Sequence, residues 1–158
     1  MNNTSPTDRL VAGYVQHSPA SQALHRDAPK REIVAFCVGR GLPTPVFYED
    51  EMPAASGAQE ADRPAFQRLL QDVAAGRVQL IIVSTLNHWS RNMIVTLQSL
   101  RALNQQGTGL IALAEQLDSS TPEGNLQLTI IAACADVFSE MLARRGEQGA
   151  NAWEVSEA

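Results

Sequence analysis

The stretch "VQLIIVSTLNHWSRN", residues 78–92, begins as an apolar run broken only by Gln79 and passes into Asn87, His88, Trp89, Ser90, Arg91 and Asn92. A short apolar run rich in β-branched residues suits a central parallel strand covered on both faces. In open α/β sheets, ligands bind beyond the carboxyl ends of such strands. The stretch therefore predicts a fold class and, in its polar second half, the edge on which a site would lie.

Working outward, strands and helices alternate. "LVAGYV" (10–15) reads as a first buried strand. Asp27 and Pro29 start a helix that is strongest from Pro29 to Val38, and "GRG" (39–41) stops it. "PVFYED" (45–50) reads as a second strand, leading into the Ala/Ser/Gly/Pro-rich "EMPAASGAQEA", which is expected to be mobile. In "DRPAFQRLLQDVAAG" (62–76), Asp62 suits an N-cap and Pro64 the first turn. Phe66, Leu69, Leu70 and Val73 share one face, and Gly76 is the stop. Asn92 to Gln106 is helical by the spacing of its apolar residues and ends at Gly107, and "GLIALAE" (109–115) is a fourth strand.

These elements predict an α/β domain with a mostly parallel four- to five-stranded sheet flanked by helices, spanning 10–145. The last helix, about 122–145, starts at Thr121 and Pro122 and carries more apolar surface than one small sheet can cover. It is therefore expected to serve in oligomerisation. Residues 1–9 read as a disordered leader and 146–158 as a disordered acidic tail.

With 158 residues, 44% of them hydrophobic, the chain suits a single soluble domain, and a net charge of −5 argues against coating nucleic acid by bulk charge. Cys37 and Cys134 both lie among apolar residues and read as buried free thiols. A reducing, cytoplasmic compartment follows as the default. There is no signal-like start and no run of the roughly 18 apolar residues of a membrane span, so no membrane partner is expected.

Ser18 follows the first strand in "GYVQHSP", Arg63 opens the second helix, and Arg91 precedes the third. Each has an ordinary reading, as a turn or cap serine and as solvated surface charges. Together they would hold a phosphate, because guanidinium forks match phosphate oxygens. His17 beside Ser18 suggests a hydrolase pair, but adjacent strand residues point to opposite faces. No glycine-rich phosphate loop or metal-ligand spacing is present, so neither cofactor nor metal is expected. A small-phosphate or nucleotide-binding domain remains a third reading.

The order of "GYVQHSPASQ", "YEDEMPAASG", "DRPAFQRLLQDVAAGRVQLIIVSTLNHWSRN" and "GTGLIALAEQLDSSTPEGNLQLTIIAA", followed by a long helix, resembles the catalytic domain of serine recombinases of the resolvase/invertase family over roughly residues 10 to 145. The resemblance implies DNA strand cleavage and rejoining through a 5′-phosphoserine, without metal or cofactor. It makes Ser18 the nucleophile, Arg63 and Arg91 the phosphate-binding arginines, Gln22 a supporting glutamine and Ser56 part of an active-site loop.

The chain departs from the family pattern at several positions. Gln16 replaces an arginine two residues before the nucleophile, Asn87 and His88 replace an Asp-Arg pair, and Phe138 replaces a glutamate on the long helix. A phosphate beside His88 would favour its charged form. The family's DNA-binding region is not found after Arg145, so DNA binding by this chain alone is expected to be weak. Two readings follow: a recombinase domain with weakened or lost activity, or a non-catalytic regulatory module. In either case the long helix would join homodimers or tetramers, or pair the chain with a full-length recombinase.

Overall fold

The structure, a computed structural model, describes residues 9–18, 23–51, 63–90 and 92–154. Its five strands are β1 (Leu10–His17), β2 (Val46–Glu51), β3 (Val78–Val83), β4 (Gly109–Ala112) and β5 (Leu117–Asp118). They form one sheet in the order β2-β1-β3-β4-β5. β1 pairs in parallel with β2 and β3, β3 pairs in parallel with β4, and only the two-residue β5 runs antiparallel. The predicted mostly parallel sheet is therefore present with five strands. The chain leaves β1 for β2 on one side and returns to β3 on the other, so the crevice of this topology opens where β1 and β3 end.

Among the described residues, six helices flank the sheet: α1 (Ala23–Arg26), α2 (Ala28–Arg40), α3 (Pro64–Ala74), α4 (Leu86–Trp89), α5 (Met93–Gln105) and α6 (Pro122–Glu154). The alternation of side chains along β1 and β3 divides the core between the two faces of the sheet. One face packs Tyr14, Ile81 and Val83 against Phe66, Leu69, Val73, Trp89 and Leu100 of α3 to α5. The other packs Val11, Val15 and Ile82 against Ile33 and Cys37 of α2.

The helix ends follow local chemistry. Asn92 caps α5, its Oδ1 accepting from the N–H groups of Ile94 and Val95 at 3.0 and 3.3 Å. Gly76 and Gly107 leave α3 and α5 with φ of +71° and +72°, backbone that side chains with a Cβ avoid. α3 departs from expectation at its start. Asp62 lies outside the described residues, and the N-cap position is Arg63, which makes no side-chain cap bond. The free N–H groups of Ala65 and Phe66 instead donate to the Asp50 carboxylate at the end of β2, each at 2.9 Å.

Two expectations need correction at α6. The helix runs to Glu154, so residues 146–154 of the predicted tail are helical, which their Glu, Gln and Ala content permits. Cys134 is exposed, unlike the buried Cys37, because it lies where α6 outruns the sheet. By length and composition, Pro122–Gly146 would also reach across a bilayer. Asp136 and Glu140 in its second half are costly in hydrocarbon, and Leu128 and Ile131 pack onto the sheet core, so one such helix is weak evidence for a span. What α6 does present is a row of exposed apolar side chains at helical spacing: Leu126, Ile130, Val137, Phe138, Met141 and Leu142.

Candidate active site

Ser18 leaves the end of β1 half-buried, and the turn carrying Asn87 and His88 leaves the end of β3, so the topology brings both to one edge. Arg63 ties that edge together. Its Nε donates to the Tyr14 hydroxyl and its Nη2 to the His88 carbonyl, both at 3.0 Å. The guanidinium lies 3.7 Å from the centroid of the Phe66 ring and 5.1 Å from that of Tyr14. A guanidinium carries five N–H donors, so two anchored bonds and a ring stack fix its orientation without exhausting it.

The anchor is in turn held from behind. The Tyr14 hydroxyl donates to Asp50 Oδ2 at 3.0 Å, the same carboxylate that caps α3. Burial is the main reason the Tyr14 phenol is held well above its usual pKa; Asp50 adds to this and Arg63 opposes it. The ring therefore stays a neutral relay between a buried carboxylate and a cation. Tyr14, Phe66 and Trp89 meet edge to face, with centroids 4.8 to 6.4 Å apart. The Trp89 indole N–H donates to Ser99 Oγ at 2.7 Å. The tryptophan in the middle of "LNHWSRN" is thus a core residue that roots the polar turn.

α4 is only four residues long, and its ends are held by side chains. Thr85 Oγ1 accepts from the Asn87 N–H at 3.1 Å, and both Glu115 oxygens lie 3.2 Å from the Leu86 nitrogen. Asn87 is exposed and His88 half-buried. Burial, and then the charge of His17, push the His88 ring towards its neutral form, while Glu115 and Glu32 oppose this. Without a phosphate the imidazolium expected at this position is therefore disfavoured. The His88 Nδ1 is buried and has no hydrogen-bond partner among the described residues.

His17, whose charge bears on the His88 ring, is itself held by another partner. Its Nε2 sits 2.8 Å from Glu49 Oε2, and Glu49 Oε1 accepts from Lys30 at 2.7 Å. With the ring engaged by Glu49, a His17–Ser18 hydrolase pair has no support. Gln16 is half-buried and stands in register with Asp50 on β2. Gln22, Ser56 and Arg91 lie outside the described residues. Phe138 is exposed on α6. No group of three or more potential metal ligands occurs among the described residues.

Residues 11–154 match the family model of the resolvase N-terminal domain. The chain belongs to that family. It is 32% identical to a probable DNA-invertase of Sinorhizobium fredii over 96% of this chain and 45% of the relative. It is 27% identical to the DNA-invertase of Escherichia phage P1 over 90% of this chain and 69% of that one. The chain thus spans about half the length of the Sinorhizobium protein and about two thirds of the phage protein. Among solved structures, the N-terminal catalytic domain of TP901-1 integrase superposes with a TM-score of 0.70 at 27% identity, covering 84% of this chain and 98% of that one. A resolvase family site-specific recombinase from Streptococcus pneumoniae shares the fold with a TM-score of 0.74 at 23% identity, covering 90% and 95%.

The sequence singles out Ser18, Arg63, Asn87 and His88 as candidates, but not Tyr14, Asp50 and Glu115, which hold the edge on which they lie. Nothing in "GYV" or "YED" marks a hydroxyl or carboxylate as different from an ordinary strand residue.

Proposed function

We propose that the chain is the catalytic domain of a serine site-specific recombinase that binds DNA and works as a dimer or tetramer. Ser18 Oγ attacks a DNA phosphorus, forming the 5′-phosphoserine bond as the 3′ oxygen leaves and takes a proton. Attack by a 3′ hydroxyl on that phosphoserine reverses the step and releases Ser18. Bond energy is conserved throughout, so no cofactor is required. Arg63, with Arg91, holds the non-bridging oxygens where negative charge grows.

The observation that carries this reading is the anchoring of Arg63 between β1 and α4, at the edge where Ser18 leaves the sheet. A preoriented cation at that edge suits a transferring phosphoryl group better than a solvated surface arginine would. Gln16, Asn87 and His88 weaken the site. Loss of one preorganised donor costs about 10²–10³ in rate, and loss of two costs on the order of 10⁴ if the effects add.

The test is incubation with nicked suicide DNA substrates carrying candidate crossover sites, with an active recombinase as control. A covalent adduct that disappears in Ser18→Ala supports the reading. The triple variant Gln16→Arg, Asn87→Asp, His88→Arg should form it faster by at least about 10², and equal rates would remove the case for weakening.

A second reading is favoured by the apolar row on α6: a non-catalytic regulatory module that pairs through this helix with a copy of itself or with a full-length recombinase. Its DNA affinity alone would be weak, since the chain has 12 Lys and Arg against 17 Asp and Glu. Either role belongs in the cytoplasm, where the DNA is.

A further inference from the structure

Glu115 lies in the turn between β4 and β5, in a segment with no part in the reaction described above. The turn is tightly built. Leu113 N–H donates to the Val83 carbonyl at 3.0 Å and Ala114 N–H to the Ser84 carbonyl at 2.8 Å, carrying the β3–β4 ladder past the end of β4. Gln116 then turns the chain with a φ of +52°. The result delivers the Glu115 carboxylate to the first residue of α4, where both oxygens face the Leu86 N–H.

α4 is too short to hold itself, since a single turn makes few hydrogen bonds of its own. Three other groups grip it: Thr85 at the Asn87 N–H, Arg63 at the His88 carbonyl and Glu115 at the Leu86 N–H. Thr85 is local and neutral, and Arg63 is a cation that a phosphate would also attract. Of these three, Glu115 is the carboxylate, brought from a different part of the fold to the turn that carries His88. The groups bearing on the His88 ring are His17 from β1, Glu32 from α2 and Glu115 from the β4–β5 turn, with Arg63 at its carbonyl. Of these, the two carboxylates favour the protonated ring and His17 opposes it.

We propose that Glu115 is a positioning residue for the candidate phosphate site, holding the short helix that carries Asn87 and His88 and acting as counter-ion to the His88 imidazolium. It touches no reacting atom. It compensates in part for the permanent charge this chain lacks at position 88, because a histidine backed by a carboxylate can be cationic when a phosphate arrives. The inference rests on the proposed recombinase reading for its functional half only.

Two variants separate its two roles. Glu115→Gln keeps an oxygen acceptor for the Leu86 N–H and removes the charge. Glu115→Asp keeps the charge and withdraws it from the helix. His88 is followed by NMR titration of the ring signals in DNA-free protein, assigned with His88→Asn, and adduct formation on nicked DNA is followed from about pH 5.5 to about pH 8. In Glu115→Gln, His88 should titrate at lower pH than in wild type. Adduct formation should fall by about 10-fold at neutral pH and recover towards acid pH. In Glu115→Asp, the His88 titration should stay close to wild type while the Asn87 and His88 amides exchange faster. An unmoved His88 titration in Glu115→Gln overturns the counter-ion role, and unchanged amide exchange in Glu115→Asp overturns the holding role. Absence of adduct from wild type defeats the recombinase reading, while the titration and exchange data still decide the place of Glu115.

Discussion

Replacing Asp50 by alanine should destabilise the domain by about 4 kcal/mol. Asp50 is 4% exposed and accepts three hydrogen bonds, from Ala65 N–H and Phe66 N–H at 2.9 Å and from the Tyr14 hydroxyl at 3.0 Å. A bond to a charged partner contributes about 1.5–3 kcal/mol, and a donor left buried without a partner costs about 1–3 kcal/mol. Loss of negative charge at a helix N-terminus adds roughly 0.3–1 kcal/mol. Adding the upper values would count each bond twice, because the orphaned donor is the main cost of losing the acceptor. Three bonds at a little over 1 kcal/mol each, plus the helix term, give the figure of about 4 kcal/mol, a large share of the 5–15 kcal/mol typical of a domain. In a domain of this size the melting temperature should fall by roughly 10 °C. Urea denaturation followed by circular dichroism measures the loss directly. Asp50→Asn should cost about half as much, since one amide oxygen can still accept. A cycle with Tyr14→Phe should show coupling of at least about 0.5 kcal/mol. A loss below about 1 kcal/mol in Asp50→Ala, or strict additivity in the cycle, would refute the assignment of Asp50 as the shared cap of α3 and anchor of Tyr14.

Three further outcomes follow from the same structure. Gly124→Ala, which in most helices would stabilise, should loosen the start of α6, because a Cβ there would overlap the Asp118 carbonyl; a higher melting temperature would contradict this. Burial and His17 disfavour the charged form of His88, so the unfolded chain binds that proton more readily than the folded one. Stability should therefore be full above the ordinary histidine pKa of about 6.5 and decline as pH falls below it. Urea midpoints for His88→Asn should decline less over that range, and parallel curves would clear His88 of the effect. Phe138→Glu with Met141→Glu should shift the protein towards monomer in sedimentation velocity without lowering its stability much, whereas a wild type that is monomeric at high concentration would leave the apolar row on α6 without the proposed role.

What could be read from the sequence was what depends on near neighbours. The run 78–83 forms β3, and Gly76 and Gly107 end helices, because periodicity and positive φ act over a few residues. Asp50 escaped because its partners lie 15 and 16 residues further on, and a carboxylate in a strand gives no local sign of a helix waiting for it. Glu115 escaped for the same reason, standing 29 positions after Leu86. β5 has two residues, too few for any period to show. The exposure of Cys134 depends on how far α6 outreaches the sheet, a property of the assembled layers. At the candidate site, motif order singles out Ser18 and Arg63, but the use of Tyr14 and the His88 carbonyl to aim Arg63 joins groups 49 and 25 positions apart, beyond the reach of any local pattern.

The Asp50 bonds also join the two ends of the segment between β2 and α3. With that junction made, lengthening a chain between two held ends costs little, about 0.6 kcal/mol for each doubling of its length. Insertions and deletions between Glu51 and Arg63 should therefore be inherited with little penalty to folding, leaving this stretch open to rapid divergence of length and composition. A recombinase lineage could vary the part of its chain that carries Ser56 while Asp50, Tyr14 and Arg63 keep the frame around it unchanged.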